Sequence, residues 1–274
     1  MSATSATSAT GPGTGPAAPR PPAPAPARTV AAGPALFHPT VARLTYRGLL
    51  GRRRALLLFA LPLLLLIIVS AVRALTGADD STANDLLQGF ALSAMVPLVG
   101  VIAGTGAIGP EIDDGAIVYL LAKPIKRSTI IVTKLTVAIG VTMAFCAIPT
   151  LMAGYVLNGN SQRLAFAFAA AAAVASIAYA AIFLMLGVIT RHAVVVGLVY
   201  ALVWEGVIGN VVPGARTLSV QQWSLAVAQK VAEGDLVSSD VALPTGIVLL
   251  AVVTAAATWF AARRLSTLKP VGEE

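Results

Sequence analysis

The sequence predicts an all-α integral membrane protein, a bundle of six transmembrane helices with both ends in the cytoplasm. Three observations carry this prediction. Of 274 residues, 57% are hydrophobic and only 11% charged, whereas soluble domains carry about a quarter charged residues. The mean hydropathy is +0.84, more apolar surface than one soluble core of this size can hide. The apolar residues also fall into long runs whose ends collect arginine and lysine, the pattern of membrane spans and their cytoplasmic flanks.

Met1 to about Pro39 is rich in Ala, Pro, Ser, Thr and Gly, and repeats Ser-Ala-Thr. Too few large apolar side chains are present to offset the entropy of ordering, so the segment reads as a disordered cytoplasmic tail. It lacks the apolar stretch of a signal peptide. The six-span region is expected over residues 40–268, and a short cytoplasmic tail over 269–274.

The apolar runs follow in order. Ala55–Val72 lies between Arg54 and Arg73, spans about 27 Å as a helix, and contains Pro62, which predicts a kink. Leu86–Gly109 is the second run, Leu135–Leu157 the third, and the alanine-rich Leu164–Ile189 the fourth. Ala193–Val212, interrupted by Glu205, is the fifth, and Leu243–Ala262 the sixth. With six crossings, Arg43, Arg47, Arg52, Arg53, Arg54, Lys123, Lys126, Arg127, Lys134, Arg191, Arg263, Arg264 and Lys269 share one side. The opposite loops are sparse in basic residues and hold Asp79, Asp80, Asp85, Glu233, Asp235 and Asp240. The positive-inside rule makes the basic side cytoplasmic. The net charge of +7 is thereby a membrane-flank signal, and no nucleic-acid partner is expected.

Two further helices are readable. About Pro110 to Ala122 forms a short cytoplasmic helix, with Pro110 in its first turn, Glu111, Asp113 and Asp114 at its positive end, and Pro124 as its stop. About Val220 to Glu233 forms an outer interfacial helix. Ser219 and Gln222 make a capping-box pattern, Trp223 is expected at headgroup level, and Gly234 is the terminator.

Gly104-Thr105-Gly106-Ala107-Ile108-Gly109 spells a dinucleotide fingerprint, yet it ends an apolar run rather than following a strand. Gly100 and Gly104 form a small-xxx-small pair suited to close helix packing. Glu205 has two readings: a translocation-path or gating contact, or a polar packing contact or wet residue near the outer surface. His38 and His192 have no second ligand at metal spacing. Cys146, the single cysteine, forms no intramolecular disulfide. No Walker pattern, Gly-x-Ser-x-Gly elbow or His-Glu-x-x-His occurs, so no activity of the chain's own is expected.

The informative segment is Gly109 to Arg127. It joins an acidic start, an apolar side (Ile112, Ile117, Leu120, Leu121) and a basic end. On physics alone this is an interfacial connector or a partner-binding helix. The segment resembles the loop between the second and third spans of ABC transporter permeases of the type-2 family. The matching features are Glu111, Asp114-Gly115, the apolar run ending at Leu120 and Leu121, Pro124, Arg127 and Lys134. The resemblance covers about Thr40 to Leu268.

It implies that the loop is a coupling helix seated in a separate ATPase subunit, which binds the ATP and Mg while this chain binds no cofactor. It also implies a second permease protomer, identical or paralogous, and a multi-pass protein of the cell membrane surrounded by lipid. The expected function is the permease subunit of an ATP-driven transporter, an exporter. The alternatives are an ATP-independent secondary transporter using Glu205, or an integral membrane enzyme. As acids in a first helical turn, Glu111 and Asp114 contribute only about 0.3–1 kcal/mol each. Their weight is therefore expected at the subunit contact rather than in insertion.

Overall fold

The computed structural model describes residues 37–77, 79–113, 127–157, 162–208, 213–233 and 237–267. All fall in one contact unit, Ala35–Glu274, and the other unit, Met1–Pro34, lies outside them. The expected tail, most of the expected coupling helix and the C-terminal residues also lie outside. Among the described residues all regular structure is helical.

In chain order the elements are α1 (Pro39–Leu49), α2 (Arg52–Thr76), α3 (Asp80–Leu86), a π-helical stretch (Leu87–Met95), α4 (Val96–Gly106) and α5 (Gly109–Asp113). They continue with α6 (Arg127–Leu157), α7 (Gln162–Ile189), α8 (Ala193–Val199), a second π-helical stretch (Tyr200–Ile208), α9 (Pro213–Arg216), α10 (Val220–Ala232) and α11 (Leu243–Thr267). The first π stretch joins α3 to α4 without a break.

Among the described residues five helices are long and apolar enough to cross a membrane: Arg54–Thr76, Asp80–Ile112, Arg127–Leu157, Gln162–Ile189 and Leu243–Leu265. The run expected to cross from Ala193 is a shorter apolar helix, Ala193–Val207, about 23 Å long at 1.5 Å per residue. That described part falls short of a hydrocarbon core of about 30 Å, and residues 209–212, the end of the expected run, lie outside the described residues.

Alanine makes α7 the central post. Ala171, Ala172, Ala175 and Ala178 are fully or almost fully buried, and α4, α6, α10 and α11 all pack against this helix. Small side chains bring helix backbones close where lipid offers no hydrophobic drive for association. Gly100 and Gly104 give α4 its share of that closeness. A Cβ on Gly100 would sit 2.9 Å from Tyr179 Cβ, and one on Gly104 would sit 2.7 Å from Phe183 Cβ and 3.0 Å from the Leu184 nitrogen. Only hydrogen fits at either position. On the outside, Leu63 and Ile67 of α2 and Val248 and Val252 of α11 are all more than half exposed. Apolar faces of this extent require lipid.

The caps follow from local chemistry. Asp79 accepts from the Thr82 amide at 3.2 Å and its hydroxyl at 2.9 Å, starting α3. The Ser81 hydroxyl foremost, then Thr82, hold the exposed Asp79 carboxyl down to about 2. Gly77 ends α2 at φ 81°, a left-handed conformation that glycine adopts without Cβ strain. Pro62 does not break α2, which runs through it from Arg52 to Thr76.

Three features differ from what the sequence predicts. First, α1 is legible in the sequence only as a basic flank. It is an amphipathic helix with Val41, Thr45 and Leu49 buried and Tyr46 exposed, packed on α6 and α4. Second, α10 forms where expected, with Ser219 Oγ accepting from the Gln222 amide at 3.4 Å. Its tryptophan is not turned outward, however. Trp223 is 3% exposed, its indole donates to the Thr217 carbonyl at 2.8 Å, and the helix packs on α7 and α11. A buried indole needs such an acceptor, and the chain supplies one that a headgroup would otherwise provide. Third, the left-handed residue ending α10 is Glu233, at φ 50°, ahead of the expected Gly234, which lies outside the described residues.

Candidate functional site

The site expected from sequence is the loop leaving the end of α4. Of its residues, Glu111 and Arg127 are described, and Asp114, Gly115, Leu120 and Pro124 lie outside the described residues. The two roots of the loop are held as follows.

α4 ends in exposed carbonyls that need donors. Arg54, in the first turns of α2, donates from Nη1 to the Gly106 carbonyl at 3.1 Å. Lys134, one turn and more into α6, donates from Nζ to the Ala107 carbonyl at 2.6 Å and to Glu111 Oε1 at 2.7 Å. The lysine is fully buried, while the Glu111 side chain is 32% exposed. Ile130, Ile131 and Ala138 surround the lysine's helix face with buried apolar groups, so the ammonium depends on these two acceptors. Glu111 Oε2 is buried and lacks a hydrogen-bond partner among the described residues. At the other root, Arg127 Nη1 donates to the Leu265 carbonyl at 3.0 Å, tying the start of α6 to the end of α11. The His38 amide donates to Thr133 Oγ1 at 3.1 Å, which brings α1 to the same place.

Glu111 thus has a structural partner that its place in a first helical turn does not disclose. The loop pattern presents Lys134 only as its basic end. Its position beside Ile130, Ile131 and Leu135 is the available signal, since a lysine inside an apolar run must find an acceptor.

Glu205 lies elsewhere, on the second π stretch, and is fully buried. It is not wet. Its Oε2 accepts from Ser219 Oγ at 2.5 Å and the Gln221 amide at 3.4 Å, and its Oε1 from the Val220 amide at 3.1 Å and the Tyr200 hydroxyl at 3.2 Å. The carboxylate sits at the positive end of α10, where amides lack helical acceptors. Sequence reasoning does not single out Ser219 or Tyr200 as partners of this acid. Gln221 Nε2 continues the polar contact to the Gln88 carbonyl of the first π stretch at 3.4 Å.

His192 is exposed in the turn before α8, and its amide donates to Thr190 Oγ1 at 3.2 Å. No group of three metal-ligating side chains occurs among the described residues.

A sequence-family model described as ABC-2 family transporter protein matches residues 40–256. The chain belongs to the ABC-2 transporter family. The match runs from the start of α1 into α11 and leaves the Ala/Pro-rich tail outside. ABC-2 proteins are membrane transport subunits, so the helices described above form the transmembrane part of an ABC transporter, and the chain is a multi-pass membrane protein. The loop held by Lys134 and Arg127 lies within the ABC-2 region. No curated protein matches the chain.

Proposed function

We propose that this chain is the permease subunit of an exporter driven by a separate ATPase subunit, with the loop from Glu111 to Arg127 as the coupling element. The observation that carries the reading is the anchoring of that loop at both roots within an ABC-2 region. Glu111 is fixed to α6 through Lys134, and Arg127 is fixed to α11 through the Leu265 carbonyl. A segment held at both ends passes displacement into the helices rather than absorbing it. ATP and Mg are held by the partner. Closure of the ATPase pair draws the loop, and α4 and α6 move with it, provided that the two states bind the loop with different free energies.

In this reading Asp114, Gly115, Leu120 and Pro124 form the face seated in the ATPase. Two permease protomers, identical or paralogous, assemble with two ATPase subunits in the cell membrane. The run from Ala193 to Val212 completes a sixth crossing, which returns both ends to the basic, cytoplasmic side. Glu205 is a gating contact that ties this run to α10. Its own chain already supplies four donors to the carboxylate, which argues against a free ion-coupling acid.

The test is purification of the tagged chain from its native membrane, then reconstitution in proteoliposomes. A co-purifying ABC ATPase, with vanadate-sensitive hydrolysis that requires both polypeptides, is the expected result. Transport by the chain alone, driven by an ion gradient and insensitive to ATP, would overturn the proposal.

A further inference from the structure

On the basic side of the bundle, between α2, the end of α4, the end of α7 and the start of α8, lies a cleft of ≈ 340 Å³. That is within the size range of small-molecule sites. Its lining is part basic and part apolar. Arg54 precedes Leu57 by about one turn of α2, and Arg191 and His192 lie in the turn that precedes Val194 and Val195 in α8, so chain order puts the basic residues ahead of the apolar ones at both α2 and α8. The three apolar residues are 56%, 51% and 60% exposed, so the cleft opens on a surface that faces hydrocarbon. Gly106, Gly109 and Gly187 also line the cleft, beside Thr105 and Thr190.

The charge balance is one-sided. No acidic side chain lines the cleft among the described residues. Glu111 lines an adjoining recess together with Arg54, and one of its two carboxylate oxygens is paired with Lys134. One nitrogen of Arg54 is used on the Gly106 carbonyl, and a guanidinium has five N–H donors. Arg191 makes no ion pair among the described residues. Basic side chains lining one cleft concentrate anions, and here they share it with an apolar wall.

We propose that this cleft is a binding site for an anionic phospholipid, with the phosphate on Arg54, Arg191 and His192 and an acyl chain along Leu57, Val194 and Val195. The phosphate gains charge-assisted hydrogen bonds, and the acyl chain covers apolar surface that the bundle leaves open. Neither half of the site would select the ligand alone. The apolar wall accepts any acyl chain, and the basic side chains accept any phosphate. This inference concerns binding only and stands whether or not the chain works with an ATPase.

The experiment uses the whole chain in detergent micelles and measures binding of dioctanoyl phosphatidylglycerol, dioctanoyl phosphatidylcholine and inorganic phosphate by native mass spectrometry. The wild type is expected to bind phosphatidylglycerol about tenfold more tightly than phosphatidylcholine. The pair Arg191→Gln/His192→Gln should abolish that preference while leaving helicity unchanged. Gly109→Leu is the second variant. A Cβ at Gly109 meets nothing within 4 Å, so the substitution starts into open space, and the leucine should weaken both lipids. Arg43→Gln, which lies on α1 outside the cleft, should leave the preference intact.

Equal binding of the two lipids by the wild type would overturn the proposal. So would a preference that survives Arg191→Gln/His192→Gln, or one lost equally in Arg43→Gln, which would mean diffuse surface charge. If inorganic phosphate binds with the same dependence on Arg191 and His192 while Gly109→Leu has no effect, the site takes a free anion and the lipid assignment fails.

Discussion

Removing the Glu111 carboxylate should destabilise the bundle, because it strands the Lys134 ammonium. The lysine is fully buried, and its only acceptors among the described residues are Glu111 Oε1 at 2.7 Å and the Ala107 carbonyl at 2.6 Å. Breaking a buried pair by deleting one partner costs about 3–5 kcal/mol. Glu111 is 32% exposed, so water can reach part of the site, and the lower end, about 3 kcal/mol, applies to Glu111→Ala. At roughly 2–4 °C per kcal/mol for a chain of this size, the melting temperature should fall by about 6–12 °C. Lys134→Met should cost less, because the carboxylate left behind can turn to solvent. Glu111→Ala/Lys134→Met, which removes both charges, should recover at least about 2 kcal/mol relative to the sum of the single changes. The assay is fluorescence-detected size exclusion after heating, on equal amounts of each variant. Additive single and double effects would show that the pair is not coupled, and a wild-type melting point for Glu111→Ala would refute the burial argument outright.

Other expectations follow from the same geometry. Gly104→Leu should lower the melting temperature by the equivalent of about 1–3 kcal/mol, since a Cβ there meets Phe183 Cβ at 2.7 Å. Gly140→Leu, whose Cβ meets nothing within 4 Å, should not; equal effects would refute the close packing of α4 on α7. Glu205→Gln keeps the shape but loses charge-assisted bonds, each worth about 1.5–3 kcal/mol. Amide exchange at Val220 and Gln221 should accelerate, and unchanged exchange would show that the carboxylate is not the cap. Single cysteines at Asp80, Asn160 and Ser239 in a Cys146→Ala background should react with an impermeant thiol reagent in intact cells, and one at Lys126 only after lysis. Labelling at Lys126 in intact cells would reverse the orientation.

The long apolar runs are legible because a period of apolar residues bounded by arginine and lysine has few other meanings. Five of the six appear as full-length helices. Ala193 to Val212 is harder, because apolar composition alone does not reveal where a helix ends. Among the described residues the helix there is the shorter Ala193–Val207, and Glu205 within it joins the start of α10. Helix α10 itself is legible from Ser219 and the spacing of its apolar residues. The burial of Trp223 is not, since a tryptophan suits an exposed boundary and a packed contact equally well, and only the packing of α10 on α7 and α11 covers it. Glu111 and Arg127 emerge from the loop pattern. The depth of Lys134 depends on how α4, α6 and α7 meet, which a one-dimensional pattern does not encode. Glycine spacing points to Gly100 and Gly104, but not to Tyr179 and Phe183 as the residues they admit.

The central claim, that the loop between α4 and α6 is seated in a separate ATPase, is tested most directly by site-specific photocrosslinking in native membranes. A photoreactive phenylalanine analogue replaces Tyr119 in the loop and, in a separate variant, Ser239, which the proposed six-span topology puts on the opposite side of the membrane. Tyr119 should yield an adduct whose second component is an ABC ATPase, diminished when vanadate traps the transporter in its other state, and Ser239 should yield none. An ATPase adduct from Ser239, or no ATPase adduct from Tyr119 in a complex that still hydrolyses ATP, would contradict the account.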